Sequence, residues 1–518
     1  MEGKGPTIEV VWFKRDLRLM DHRPLVEAAA RGPVLPLYIV EPSQVNAPDF
    51  DPSHWTFLRE SLVELREGLA RLGQPLVVRV GEVLPTLQSL AAARSIRLWA
   101  HEETSNWQGY QRDRAVRRWA KETGIPFEEL PANGVVRRLR SRDEWSEHWE
   151  ERMRGPLLAA PGSLSPVSGI DPGPIPTHVE LGLAPDSRRQ YLQRGGPSRA
   201  SAVLESFLTE RGGAYRGGIS SPLSAMSACS RLSPYLAWGN LSTRQVVQAT
   251  RARIGQVGPR WAASLQAFES RLHWRCHFIQ KLEDQPTIEF TNFVRAYDGL
   301  REGEFNREAF TAWQMGETGY PMIDACMRML RATGWLNFRM RSMLMAFAAY
   351  DLWLHWQEPA HHLARLFLDY EPGIHYPQVQ MQSGTAGHAT LRLYNPIKQG
   401  QDHDPRGAFV RRWIPALARV PDSFVHAPWL LPEGQQESLG CRIGRDYPAP
   451  IIDHARAVAH ARARIAQVRR SPALAAEVAR VFERHGSRRR PPAGSRARRG
   501  RSGAAPPSLT EDRQLTLF

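Results

Sequence analysis

Cysteine is scarce. The 518 residues hold four, Cys229, Cys276, Cys326 and Cys441, far apart and with no CxxC among them. That spacing speaks against a zinc site and against a disulfide framework, and no metal site is expected. Long apolar runs are missing as well; none approaches the roughly 20 residues that span a bilayer. The opening residues, MEGKGPTIEV, lack a basic region followed by an apolar one. A signal peptide is therefore not expected, and a cytoplasmic location is. No GxGxxG follows the first apolar run, which removes the usual dinucleotide site. Acidic residues are outnumbered, 53 against 68 Lys and Arg, for a net charge of +15. An excess of that size suits polyanionic partners, nucleic acid first.

What is present divides the chain. Residues 7–135 alternate short apolar runs (Ile8–Phe13, Val34–Val40, Leu76–Val80, Ile96–Ala100) with amphipathic segments. This is the pattern of a parallel sheet with helices on both sides. Residues 136–199 are rich in Pro, Gly and Ser and read as a long interdomain linker wrapped on the surface. Residues 200–485 read as mostly helical. Residues 486–518, with SRRRPPAGSRARRGRSGAAPPS, read as a disordered basic tail able to bind phosphates non-specifically. The expected fold is an α/β, Rossmann-like parallel-sheet domain followed by an all-α domain.

The densest pattern runs from Trp313 to Trp429. Pro321 sits where a helix starts, because a first-turn Pro loses no needed hydrogen bond. Met322, Ile323, Cys326, Met329 and Leu330 then recur at helical spacing, and Gly334 ends the helix. The next segment puts Leu344, Met345, Ala348 and Leu352 on one face with Arg341. A cation on an apolar face is costly unless paired, so Arg341 needs an anion. Asp369, Glu371 or a bound anionic ligand could supply it.

Two further strings carry polar chemistry. Tyr215 is followed by Cys229, Ser230, Arg231, Leu232 and Ser233. Small hydroxyls beside an Arg at a helix start suit either a simple cap or a pyrophosphate. The string FESRLHWR sets Arg271, Trp274 and Arg275 on one helix. A Trp there is either a core residue or a stacking face for a base.

Taken in order, these strings resemble the photolyase/cryptochrome family. The matching pieces are WFKRDLRL at Trp12, the Ser230–Ser233 string, Trp274-Arg275, WQMGETGYPMIDACMRML, TGW ending at Trp335, Arg339-x-Arg341, the acidic loop, YNP, and RRWIPAL with Arg411 and Arg412. The resemblance implies non-covalent FAD in the helical domain. It assigns cofactor contacts to Tyr215, Cys229, Ser230, Arg231, Leu232, Ser233, Arg271, Trp274, Arg341, Asp369, Glu371 and His375. His375 falls where the residue facing flavin N5 stands, and its near-neutral titration would suit a proton donor. Trp356 matches the middle member of the family's tryptophan electron path. The flavin-proximal position is Val379, and Tyr350, Trp353 and Tyr376 are substitutes nearby. Trp274, Arg275, Trp356 and His375 are thus the expected catalytic set.

The resemblance also implies DNA with UV lesions as the partner, met by Arg271, Trp274, Met381, Arg411 and Arg412. Arg271 stands where dimer photolyases carry a Glu, and Met381 where a second aromatic is common. The first domain of the family can hold an antenna chromophore, a folate, deazaflavin or flavin. The end, Gln514-Leu515-Thr516-Leu517-Phe518, resembles the peptide by which bacterial repair proteins bind the sliding clamp, through Gln514, Leu515, Leu517 and Phe518. The expected function is FAD-dependent, blue-light-driven DNA repair by electron transfer to a pyrimidine dimer. The alternative is a cryptochrome-like photoreceptor without repair.

Overall fold

A computed structural model describes residues 6–188, 191–387 and 391–486. Five parallel strands, β1 (Ile8–Phe13), β2 (Val34–Val40), β3 (Val77–Val80), β4 (Ile96–His101) and β5 (Phe127–Leu130), form one sheet in the order β3-β2-β1-β4-β5. The central strand IEVVWF is buried at all six positions. Val11 and Phe13 enter one apolar cluster, while Ile8, Val10 and Trp12 enter another. Alternate side chains of a strand face opposite ways, so the sheet is covered on both sides. The covering helices include α1 (Arg23–Ala29), α2 (Pro52–Arg71), α3 (Val83–Ala93) and α4 (Trp107–Thr123). β5 was not legible in the sequence; its FEEL is short, polar and only half-buried, as suits an edge strand.

The Pro/Gly-rich stretch is not all loop. α5 (Trp145–Arg154) lies within it and buries Trp145, Trp149 and Met153. Those residues recur every four positions, but the five charged neighbours hide the stripe from a compositional reading.

The rest is helical. The elements that matter for the site are α6 (Ser233–Ala237), α7 (Pro259–Asp284), α8 (Pro321–Thr333), α9 (Phe338–Ala346), α10 (Gln357–Leu366) and α11 (Pro372–Ser383). α8 has Pro in its first turn and ends on Gly334 at φ 65°, a left-handed cap that glycine adopts without strain. Its Met322, Ile323, Cys326, Met329 and Leu330 are buried in a cluster shared with Leu344, Met345, Ala348 and Leu352. Among the described residues no helix is long and apolar enough to cross a membrane.

Candidate functional site

The acidic loop before α11 carries two carboxylates that face opposite arginines. Arg341 on α9 grips Asp369 with both terminal nitrogens, Nη1 to Oδ1 at 3.0 Å and Nη2 to Oδ2 at 2.8 Å. Its Nε donates to the Leu336 carbonyl at 2.6 Å, and its guanidinium lies 4.0 Å from the Phe367 ring. Asp369 is therefore the anion that Arg341 requires. The pair is asymmetric, the Asp369 side chain 3% exposed and that of Arg341 24%, so the cation keeps an open side. On α7, Arg275 Nη2 donates to Glu371 Oε2 at 2.7 Å and to the Leu236 carbonyl at 2.9 Å. Tyr370, between the two carboxylates, gives its carbonyl to Arg15 Nη2 at 2.6 Å. Arg15 also bonds the Ala237 carbonyl at 3.0 Å and lies over Trp238. The sheet domain thus holds the loop from behind.

A third arginine has no carboxylate. Arg231 adopts φ 62° and stacks 3.9 Å from the Trp335 ring centroid. Its guanidinium makes a weak contact to the Met226 sulfur. Burial pulls its pKa down to about 10, with Asp369 acting in the opposite direction. A cation in that condition is stabilised by any anion that arrives. Beside it, Ser230 Oγ accepts from Leu232 N at 3.4 Å, and Ser233 opens α6. Leu232 buries its side chain completely, so only its main chain can meet a ligand. The Cys229 thiol is pushed up to about 11 by burial and stays protonated. Asn337, 2% exposed, spends its amide hydrogens on the Ile219 and Ser220 carbonyls and leaves Oδ1 without a partner.

Tyr215 is buried, and the Arg271 guanidinium lies beside its phenol. Trp274 turns away from Arg275 and packs on His277 and Phe278, at 4.9 and 5.7 Å. Trp356 is buried, with Nε1 donating to Asn292 Oδ1 at 2.7 Å. Met381 is almost buried beside Phe278 and Tyr350, so it can meet a base that enters the protein but not the surface of a duplex. Arg411 is committed to Asp422 Oδ1 and the Val420 carbonyl, at 2.7 and 2.6 Å, and closes its own loop. Arg412 is exposed. Gln514, Leu515, Leu517 and Phe518 lie outside the described residues.

His375 requires correction. Its Nε2 sits 2.9 Å from the Ala360 carbonyl, an acceptor, so Nε2 carries the hydrogen. Burial lowers its pKa to about 4. Its N–H is spent on the backbone, and burial disfavours the protonated ring. Asp16, His22 and His101 form a close set resembling a metal cluster. His22 Nδ1 accepts from Leu25 N, so its Nε2 holds the hydrogen that it donates to Asp16 at 2.9 Å. That is a hydrogen-bonded brace behind the Lys14–Arg18 string.

Residues 268–467 match the family model for the FAD binding domain of DNA photolyase, and residues 9–142 match the DNA photolyase model. A cryptochrome DASH of Gloeobacter violaceus is 31% identical over 86% of this chain and 93% of its own. The chain belongs to the photolyase/cryptochrome family. Within that family, a deoxyribodipyrimidine photo-lyase of Streptomyces griseus is 31% identical over 89% of this chain and 99% of its own. A bacterial class III photolyase from Agrobacterium tumefaciens, known as a crystal structure, superposes with a TM-score of 0.80 at 25% identity, covering 90% of this chain and 98% of that one. In family terms the sheet is the photolyase domain, and α7 to α11 lie in the FAD-binding domain. What the motif reading missed is Arg15, Asn337 and Tyr370. Arg15 and Tyr370 stand inside matched strings, but their partners are far away in sequence.

Proposed function

We propose that this protein is a light-driven DNA repair enzyme of the photolyase kind, with FAD held at Arg341, Asp369, Arg231 and the Ser230–Ser233 segment. The observation that carries the reading is the pairing of an open-sided Arg341–Asp369 grip with an unpaired, half-buried Arg231. Arg231 fits a pyrophosphate; Arg341–Asp369 and Asn337 Oδ1 offer a donor and acceptors suited to a flavin ring edge. FAD when bound supplies the light-driven electron, and the protein supplies position and electrostatics. Arg275 holds Glu371 in place. The neutral His375 adds no charge beside the ring. A pyrimidine dimer is reached by flipping out of the duplex, helped by its weakened pairing.

For an antenna the sheet domain offers a narrow cleft. The cleft at the C-terminal ends of β1 and β2 has about 90 Å3 of free volume. Ligand pockets run to roughly 300–1,000 Å3. Arg112 fills the cleft floor, bonded to Glu41 Oε1 at 2.6 Å and Glu103 Oε2 at 2.9 Å.

The test is to photoreduce the FAD-loaded protein and add single-stranded DNA carrying a cyclobutane dimer, in light and in dark. Light-only return of thymine absorbance is expected. No repair of that dimer or of a 6-4 photoproduct, with intact photoreduction, replaces the enzyme by the photoreceptor reading. The C-terminal QLTLF is proposed to bind the sliding clamp; deleting it should abolish retention in a pull-down.

A further inference from the structure

We propose that a basic cleft, formed where α4, residues 137–143, the end of α7 and the last described helix meet, holds the phosphate backbone of the DNA strand flanking the lesion. This rests on the DNA reading above. The cleft has about 1060 Å3 of free volume and is lined by eight arginines and six carboxylates. The last helix, α12 (Pro472–His485), forms one of its walls. None of the lining residues belongs to the flavin site or to the DNA contacts expected from the sequence.

The charges are sorted by exposure. Three carboxylates are spent on inner arginines. Arg137 donates from Nε to Glu283 Oε1 at 3.1 Å and from Nη1 to Glu129 Oε1 at 3.4 Å, and Arg117 Nε donates to Glu129 Oε2 at 2.5 Å. Arg142 Nη1 donates to Asp284 Oδ2 at 3.4 Å. Arg114, Arg138, Arg140 and Arg480 are exposed instead, and none of them forms an ion pair or hydrogen bond among the described residues. Four uncommitted cations around one opening attract a polyanion, and no existing pair has to break when it arrives. Arg138 also sits at φ 56°, a left-handed backbone that a residue with a Cβ adopts at a cost. Strain of that kind is held by the surrounding structure and gathers at binding segments.

The position of the cleft names its occupant. α7 carries Trp274 and ends at Asp284 on the cleft wall; at 1.5 Å per residue the two are about 15 Å apart. α12 buries Leu474 and Val481 in the apolar cluster that contains Phe278 and Met381, and Trp274 packs against that cluster. The helix that supplies Arg480 to the cleft thus backs the residues that would meet a flipped base. At about 3.4 Å per phosphate along a stacked strand, the cleft is reached roughly four nucleotides from the lesion. The sequence after α12 soon adds Arg488, Arg489 and Arg490. A basic continuation is repelled by a basic opening, so the occupant is an external anion rather than that segment.

The test compares two dimer-bearing single strands in the dark, by fluorescence anisotropy. One has a single nucleotide on each side of the dimer; the other extends about ten on each side, past the roughly four that the spacing requires. Arg138→Gln combined with Arg140→Gln should weaken the long strand about tenfold at low salt and reduce its salt slope by about 1.4, which is two contacts at about 0.7 each. The short strand should bind as before. Arg114→Gln combined with Arg480→Gln, from the other walls, should do the same. Arg118→Gln, exposed on α4 but outside the cleft, should change neither strand. Flavin content and melting temperature should match the native protein throughout, because no ion pair is lost. Equal weakening of both strands, or no weakening of the long one, overturns the proposal. So does a melting temperature that falls with the affinity, which would make these arginines structural. Dark binding needs no photochemistry, so a length-dependent loss in a protein that repairs nothing removes the enzyme reading and keeps the cleft. A protein that binds neither strand overturns both.

Discussion

Arg15, from the loop after the first strand, donates to the backbone carbonyl of Tyr370 at 2.6 Å, 355 residues further along the chain. Neither side chain is in the expected set of site residues, yet this contact fixes the loop that carries Asp369 and Glu371. Arg15→Ala removes a charge-assisted bond worth about 1.5–3 kcal/mol. FAD should bind roughly ten- to a hundredfold more weakly while the sheet domain keeps its fold. Titration of the flavin-free protein with FAD, alongside circular dichroism, checks this.

The Arg341–Asp369 grip is the strongest dependence of the site. Arg341→Ala leaves Asp369 buried and unpaired, a loss on the order of 3–5 kcal/mol. The purified variant should be colourless and melt earlier. Arg341→Lys keeps the charge but not the two-pronged geometry, and should hold less flavin than the native protein. A flavin-to-protein absorbance ratio equal to the native one in Arg341→Ala would remove this grip from the cofactor site.

Arg231 separates binding from folding. It has no carboxylate partner to strand, so Arg231→Met should leave the melting temperature of flavin-free protein unchanged or higher. The FAD dissociation constant should rise about ten- to a hundredfold, the loss of one charge-assisted contact. Equal losses of stability and affinity would make Arg231 a structural residue.

His375 carries a pH signature of known sign. Its folded pKa of about 4 lies below the ordinary histidine value of 6.5. The unfolded chain therefore takes up the proton first as pH falls. The stability is present above pH 6.5 and is lost as pH falls from 6.5 towards 4, on the order of 2 kcal/mol by pH 5. Urea unfolding at pH 7.5 and 5 should show a larger drop for the native protein than for His375→Asn. Photoreduction between pH 6.5 and 8 should be flat in both.

DNA affinity should distinguish two adjacent arginines. Arg412→Ala, on the surface, should weaken binding to any sequence and reduce the salt slope by about one. Arg411→Ala should instead lower stability, because it frees Asp422 and the Val420 carbonyl. Fluorescence anisotropy across a salt series reads the first effect, and a thermal melt reads the second.

Sequence alone determined what is local and periodic. The first-turn Pro321, the apolar spacing of Met322 to Leu330 and the stop at Gly334 specify α8, because capping and amphipathic spacing act within a few residues. The need of Arg341 for an anion was legible for the same reason: an arginine stood on an apolar face. Tertiary structure decided the partners. That Asp369 rather than Glu371 meets Arg341, that Arg275 takes Glu371, and that Asp49 receives the Tyr370 hydroxyl all depend on how distant segments cross. It also reversed the reading of His375, whose charge state is set by burial and by a carbonyl fifteen residues away. Ionisation and pairing are properties of the surroundings of a group, and those surroundings exist only once the chain has packed.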